Sequence, residues 1–218
     1  MAKPIASFTK QIALPVIQAM IIVLLTISAL AFAFSAYSQE ISLTDLQTRA
    51  LVLNKQGEFS EAVEVANEAL KAAEEEFGSD HPKTAASMSI LGLLYFSNGK
   101  YSDAEPLYLR ALKINTDTLG EDSLDVATDT DNLALLYQAQ GRYSDSITLY
   151  KQALQIKEEA LDPHHPSIAT TMNNLAALYY SQGMYKEAEP YFEQALTIIE
   201  KNPGTDLDKM TTSLNILA

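Results

Sequence analysis

The stretch NNLAALYYSQGMYKEAEPYFEQAL, residues 173–196, carries the pattern that decides the fold of this chain. Its apolar residues recur at the spacing of an amphipathic helix on both sides of Gly183, and an aromatic residue, Tyr185, stands two places after that glycine. The same arrangement surrounds three earlier glycines at one constant interval, Gly57, Gly99 and Gly141, which defines a 42-residue period. A fixed period of this length predicts an array of similar structural units that presents a binding surface.

Each unit contains two amphipathic stretches, which predict an antiparallel helical hairpin. In the third unit these stretches cover residues 125–139 and 144–160. Gly141 lies between them, where a residue with left-handed backbone ends a helix at the least steric cost. The sequence therefore predicts an all-α chain with repeats at 41–82, 83–124, 125–166 and 167–208, followed by a partial repeat or carboxy-terminal cap at 209–218.

Two local features concern the ends of helices and of the array. Ser102 and Glu105 have the spacing of a capping box, which predicts that the second helix of the second repeat opens at this serine. Arg49 takes the place that leucine holds in the later repeats. A charged residue at that place predicts that the first repeat caps the array and turns its outer face to solvent.

The recurring residues resemble the tetratricopeptide repeat, in which Leu-(Gly/Ala)-x2-Tyr precedes Gly-x-Tyr and Ala-x3-(Tyr/Phe)-x2-Ala. The third unit carries this pattern at Leu133, Ala134, Tyr137, Gly141, Tyr143, Ser146, Tyr150 and Ala153. The common repeat has about 34 residues. A 42-residue period with Asn-Asn-Leu-Ala-x-Leu-Tyr, Ala-Glu-Pro and Asp-His-Pro is similar to the longer repeat of kinesin light chains. The resemblance covers residues 43–218 and implies a right-handed solenoid of helical hairpins that binds proteins and catalyses no reaction.

The resemblance also implies a binding groove, because the first helix of each hairpin lines the concave side of such arrays. The groove positions carried over to this sequence, together with Phe96 as the counterpart of Tyr180, are Thr128, Asp131, Asn132, Leu135, Gln138, Thr170, Asn173, Asn174, Ala177, Tyr180 and Asn215. Asn132 and Asn174 match the family asparagine that hydrogen-bonds a bound peptide's backbone. The alternative is that both asparagines only solvate an empty groove. Lys55 is the only basic candidate in this groove, so we expect a neutral or basic peptide with apolar anchors.

Residues 1–38 have the features of an export signal. They contain two lysines and no acidic residue, and an apolar run is densest at residues 19–34. Small residues around position 38 suit cleavage by a signal peptidase. The alternative is retention of residues 12–34 as a membrane anchor, because the apolar stretch approaches the length that spans a bilayer. Either reading predicts that the repeats cross the membrane into a periplasmic or extracellular space.

Charge and composition exclude several classes of function. The net charge is −13, and removing residues 1–38 with their two lysines makes it −15. Clustered basic side chains are needed for binding to nucleic acid or to anionic lipid, so neither partner is expected. The chain has no cysteine, which excludes a disulfide framework and thiol catalysis.

No residue set predicts a metal site, a cofactor site or a catalytic site. Two of the three histidines, His81 and His165, stand before prolines at equivalent places between hairpins, which favours a structural role. Metal binding would need further ligands at matched spacing. We therefore expect a non-enzymatic adaptor that binds a peptide in its groove. One alternative is a scaffold that self-associates through its carboxy-terminal edge, and another is the amino-terminal part of a larger repeat protein with a catalytic domain.

Overall fold

The computed structural model describes residues 42–202, and all of the regular structure in this part is helical. Its eight helices are α1 (Leu43–Gln56), α2 (Phe59–Phe77), α3 (Pro82–Ser97), α4 (Tyr101–Leu119), α5 (Leu124–Ala139), α6 (Tyr143–Ala160), α7 (Pro166–Ser181) and α8 (Tyr185–Glu200). They form four antiparallel hairpins, which confirms the predicted all-α solenoid of hairpins. The predicted leader, the partial repeat at 209–218 and Asn215 lie outside the described residues.

The turn inside each hairpin depends on its glycine. At Gly141 the backbone φ is +77°, a left-handed conformation that glycine adopts without steric cost. This conformation lets the Gly141 N–H donate to the Gln138 carbonyl at 3.0 Å and the Arg142 N–H donate to the Tyr137 carbonyl at 2.8 Å. These bonds satisfy carbonyls in the last turn of α5, and α6 can start at Tyr143.

The first helices α3, α5 and α7 begin with a side-chain cap, whereas the second helices do not. The Nδ1 atoms of His81 and His165 accept hydrogen bonds from backbone N–H groups at 3.1 and 3.2 Å, at the starts of α3 and α7. A proline follows each histidine at the first position of the helix, where its missing N–H costs least. The structural role predicted for these two histidines is therefore confirmed.

The predicted capping box at Ser102 is wrong. The second helix of the second hairpin begins at Tyr101, and Lys100 occupies the N-cap position without a side-chain hydrogen bond. Glu105 is used elsewhere, because its carboxylate accepts hydrogen bonds from Gln140 and Arg142 of the next hairpin, both at 3.0 Å. A contact between hairpins therefore decides the role of this glutamate.

Neighbouring helices pack closely because small residues recur at their crossings. Ala62, Ala104, Ser146 and Ala188, one in each second helix, are fully or almost fully buried. Each second helix packs against the first helix of its own hairpin, and α2, α4 and α6 also pack against the first helix of the next hairpin. The first helices also contact one another, α1 with α3, α3 with α5 and α5 with α7. They therefore form one continuous row, and the second helices lie behind it.

The first hairpin ends the described array with a polar edge. Arg49 and Glu61 form an ion pair at 2.7 Å, and both side chains are about half exposed. Val52 is 46% exposed, whereas its counterparts Leu94, Leu136 and Leu178 in the later hairpins are completely buried. The solvent-facing surface predicted from Arg49 is present in the described first hairpin, and the end-cap role stays a prediction. Within residues 42–202, no helix has the length and apolar character needed to cross a membrane.

Candidate functional site

The row of first helices brings together most of the residues predicted to line the groove. Thr128 and Tyr180 are exposed, and the other described candidates are partly buried at the surface of this row. The partly buried candidates are Phe96, Asp131, Asn132, Leu135, Gln138, Thr170, Asn173, Asn174 and Ala177. The groove prediction is therefore compatible with where these side chains lie, and their contacts separate those that could reach a ligand from those that hold the fold.

Asn132 and Asn174 occupy equivalent positions on α5 and α7, one period apart. Both are partly buried, and within residues 42–202 neither amide has a hydrogen-bond partner. A carboxamide carries both a donor and an acceptor and can therefore pair with both groups of a peptide unit. Both amides are therefore available to a ligand at the surface of the row.

Asp131 is less available to a ligand than the two asparagines, because it is bonded to neighbouring helices. One of its carboxylate oxygens, Oδ2, forms an ion pair with Lys157 of α6 and accepts a hydrogen bond from the Thr171 hydroxyl of α7 at 2.7 Å. The other oxygen, Oδ1, is buried without a protein partner among the described residues. Burial raises the pKa of Asp131, and the charge of Lys157 opposes that rise. This carboxylate joins the third hairpin to the fourth and is not directed toward a peptide.

Thr128, Thr170 and Gln138 use part of their hydrogen-bonding capacity within the protein. The hydroxyls of Thr128 and Thr170 donate to backbone carbonyls one turn earlier in their own helices, at 2.9 and 3.2 Å. The Oε1 atom of Gln138 accepts a hydrogen bond from the buried Tyr150 hydroxyl at 3.3 Å. The amide nitrogen of Gln138 and the remaining lone pairs of the threonines can still contact a ligand.

The site of Asp131 is one of three equivalent polar junctions between hairpins. Gln47 donates to Ser87 at 2.9 Å between the first two hairpins. Between the next two, the Asp129 carboxylate accepts from Ser89 and from Asn115, both at 2.7 Å. Ser89, Asn115 and Asp129 precede Asp131, Lys157 and Thr171 by one period each. The sequence analysis missed this set, although alignment of the chain at its repeat period places these polar residues in register.

The junction at Asp129 holds a carboxylate without a cation beside it. Asp129 is 3% exposed, and its hydrogen-bond partners in the described structure are neutral. Burial therefore raises the pKa of Asp129, while the hydrogen bonds from Ser89 and Asn115 act in the opposite direction. Burial also raises the pKa of the neighbouring Tyr108, which keeps that hydroxyl protonated.

The second hairpin gives the row an apolar section that the sequence analysis missed in part. Ile90 and Leu93 on α3 stand one period before Asn132 and Leu135. Leu93 is 36% exposed, and Ile90 is partly buried beside it on the same helix. Together with Phe96 they form an apolar surface that could hold side chains of a partner.

Aromatic pairs stand at the turn end of two hairpins. The rings of Phe96 and Tyr101 are 5.7 Å apart between centroids, and those of Tyr180 and Tyr185, two periods later, are 5.0 Å apart. Tyr180 and Tyr185 are 43% and 60% exposed. The second pair therefore offers aromatic surface at one end of the row.

Residues 42–202 contain no group of three or more His, Asp or Glu side chains arranged to hold a metal ion. The segment Asp129-Thr130-Asp131-Asn132 lies inside α5, and its two carboxylates point into different junctions.

Comparisons with known proteins agree with this architecture. The family model for the tetratricopeptide repeat matches residues 40–117 and 125–201. A candidate kinesin light chain from Podosopora anserina with nearly identical TPR-like repeats is 26% identical with a TM-score of 0.67, over 80% of this chain and 83% of that one. BtubC (BKLC) from P. vanneervenii is 25% identical with a TM-score of 0.64, over 75% of this chain and 65% of that one. This chain therefore spans about two thirds of the length of BtubC.

A structure of the apo form of RapI, at 22% identity and a TM-score of 0.64, shares the fold over 80% of this chain and 63% of that one. No curated protein sequence matches this chain significantly. The resemblance predicted from the 42-residue period is confirmed, because the family match covers most of the chain and structures of similar repeats superpose on it. The chain belongs to the tetratricopeptide-repeat family, whose repeats serve as scaffolds for protein–protein interaction.

Proposed function

We propose that this protein is a non-catalytic adaptor that holds an extended segment of a partner protein along the row of first helices. The observation that carries the proposal is the pair of equivalent, partly buried amides of Asn132 and Asn174, which have no hydrogen-bond partner within residues 42–202. Leaving such groups unpaired beneath a bound partner costs free energy, whereas pairing them with a peptide backbone recovers it.

The spacing of these asparagines suits an extended chain. Packed helices lie about 8–10 Å apart, and an extended peptide rises about 3.3 Å per residue. Asn132 and Asn174, on adjacent first helices, would therefore meet peptide units about three residues apart. Because an amide pairs with the backbone and not with a particular side chain, this contact sets the position of the ligand with little regard to its sequence.

The apolar and charged residues of the row restrict the kind of peptide. Ile90, Leu93 and Phe96 offer a surface for apolar side chains at the second hairpin, and Tyr180 offers aromatic surface at the fourth. Lys55, at the end of α1, is the only base among the predicted groove residues, and the whole chain carries a net charge of −13. These features favour a neutral or basic segment with apolar anchors over an acidic one.

The proposal is tested by replacing both asparagines, Asn132→Ala and Asn174→Ala, and identifying partners by proximity labelling in the cell that produces the protein. Each lost hydrogen bond is worth about 1 kcal/mol. The amount of partner labelled by the double variant should therefore fall about tenfold or more. The matched control is Asn67→Ala with Gln152→Ala, which removes two amides from the second helices α2 and α6. Equal loss in both variants, or equal retention, would contradict groove binding. Equal retention would favour the scaffold alternative.

We also propose that the repeats function outside the cytoplasm. The support is the character of residues 1–38, with lysines before a long apolar run and small residues near its end. The intact mass of the protein from fractionated cells should correspond to a chain beginning at Gln39 if the leader is removed. A full-length chain in the membrane, with its repeats digested by external protease, would identify an anchor instead. A full-length chain in the cytosolic fraction would contradict export.

A further inference from the structure

A cavity of about 410 Å³ opens on the side of the second helices, behind the row that forms the groove. Ile168 and Met172 of α7 and Ile198 of α8 form its apolar floor. Glu158 of α6, His164 of the α6–α7 loop and Gln194 of α8 are among the polar residues that line it. A cavity of this size, with an apolar floor and few polar groups, is typical of a site for a small molecule.

The cavity lies beneath a loop whose sequence differs from the equivalent loops. Gly78 and Gly120 follow α2 and α4 with backbone φ of +93° and +91°. One period later stands Asp162, which lacks the freedom of glycine in the left-handed region, and Pro163 disfavours a helical backbone at the residue before it. The helix α6 consequently ends at Ala160, one residue earlier than the period predicts, with an extended backbone at Leu161. The backbone after α6 therefore differs from the backbone after α2 and α4.

Hydrogen bonds hold this loop in place. The backbone N–H groups of His164 and His165 donate to the side chain and the carbonyl of Asp162, both at 2.8 Å. The Asn202 amide, just after α8, donates to the His164 carbonyl at 2.7 Å. Lys201 Nζ lies 3.1 Å from His164 Nε2. The loop that forms one wall of the cavity is therefore held by hydrogen bonds within the loop and to the residues just after α8. The cavity consequently exists before a ligand binds.

Among the described residues that line the cavity, Glu158 is the only charged one apart from the titratable His164. It is exposed, and no cation pairs with it within residues 42–202. The nearby cation Lys201 is directed to His164. Lys201 itself is not among the described residues that line the cavity.

From this combination we infer that the cavity binds a small organic cation. Its apolar body would pack on Ile168, Met172 and Ile198, and its ammonium group would pair with the Glu158 carboxylate. An opposite charge selects the cation over a neutral or anionic molecule of the same shape, and the apolar floor selects it over an inorganic cation. This site does not depend on the groove proposal, because it uses the opposite side of the array.

The test compares three ligands of similar size with the full chain held in phosphatidylcholine nanodiscs. Phenethylammonium is the cation, 2-phenylethanol the neutral isostere and phenylacetate the anion, and binding is followed by the methyl NMR signals of Ile168, Ile198 and Met172. We expect phenethylammonium to shift these signals at the lowest concentration. Glu158→Gln should weaken its binding about fivefold, toward the level of the alcohol, since an exposed ion pair is worth up to about 1 kcal/mol, or a factor of five.

The matched control is Glu159→Gln, which removes the same charge from the adjacent residue of α6 and should leave the affinity unchanged. A second variant replaces Asp162, Pro163 and His164 with Gly, Glu and Asp, the residues that stand one period earlier. The exchanged segment should adopt the conformation of the loop that follows α4. Phenethylammonium should then no longer shift the methyl signals. Equal binding of all three ligands, equal effects of the two glutamate variants, or unchanged binding after the loop exchange would overturn the proposal.

Discussion

Replacing Lys157 with methionine is expected to lower the free energy of unfolding by about 3 kcal/mol at neutral pH. Lys157 is 5% exposed, and its ammonium is paired with Asp131 and hydrogen-bonded to the Thr171 hydroxyl at 2.9 Å. Methionine fills a similar volume but removes the charge, so Asp131 remains as a largely buried carboxylate with no cation. Urea unfolding followed by circular dichroism measures the loss.

The pH dependence of this loss distinguishes a missing charge from a packing defect. Burial already raises the pKa of Asp131, and Lys157 is the main influence that lowers it. Without Lys157 the folded pKa rises further above that of the unfolded chain. The destabilisation is therefore complete above the folded pKa, and it shrinks as the pH falls through that pKa and Asp131 becomes neutral. A packing defect would be the same at all pH values.

Two further variants serve as controls for the Lys157 prediction. Lys113 forms an ion pair with Asp117 at 2.7 Å, but its side chain is 75% exposed, so Lys113→Met should leave stability nearly unchanged. The triple variant Asp131→Ser, Lys157→Asn and Thr171→Asp copies the junction at Ser89, Asn115 and Asp129 and should recover much of the loss. Equal stability of the Lys157 and Lys113 variants would show that the buried pair is not needed.

Replacing Gly92 with leucine is expected to destabilise the protein by about 3 kcal/mol or more. A Cβ atom at this position of α3 would lie 2.8 Å from Cε1 of Tyr108 and 3.0 Å from Cδ1. Tyr108 on α4 is 1% exposed, so its ring is enclosed by the rest of the protein. A larger side chain must therefore push the two helices of the second hairpin apart. The midpoint of urea unfolding gives the size of the effect.

The size of the new side chain should decide the outcome at Gly92. Alanine stands at the equivalent positions 134 and 176, which face Tyr150 and Phe192 in the same core cluster. Gly92→Ala should consequently cost about 1 kcal/mol or less, because a gain in helix propensity of about 1 kcal/mol offsets part of the clash. Ala86→Leu adds the same leucine at an exposed position of α3 and should be nearly neutral. A loss no larger for Gly92→Leu than for Ala86→Leu would refute the close approach to Tyr108.

The sequence alone was sufficient for features that depend on short stretches of chain. The 42-residue period, the helical spacing of apolar residues and the glycine turns each involve residues within one hairpin, so they predict the hairpins directly. The histidine caps belong to this group, since His81 and His165 bond to N–H groups only two residues away. Arg49 likewise marked a solvent-facing position of the first hairpin, because its repeat counterparts are leucines.

Only the tertiary structure decided which polar residues bond to neighbouring helices and which keep their hydrogen-bonding groups free in the described part of the chain. Asp131 and Asn132 are adjacent in sequence, yet the first reaches α6 and α7 while the second keeps its amide free of protein partners in the described part of the chain. Glu105 has the spacing of a helix cap, yet it pairs with Arg142 of the next hairpin. The cavity beside Glu158 also requires the assembled ends of three helices and a loop. A side chain one position along a helix points about 100° away, so its role depends on which neighbouring helix lies in that direction, and that is a property of the packed array.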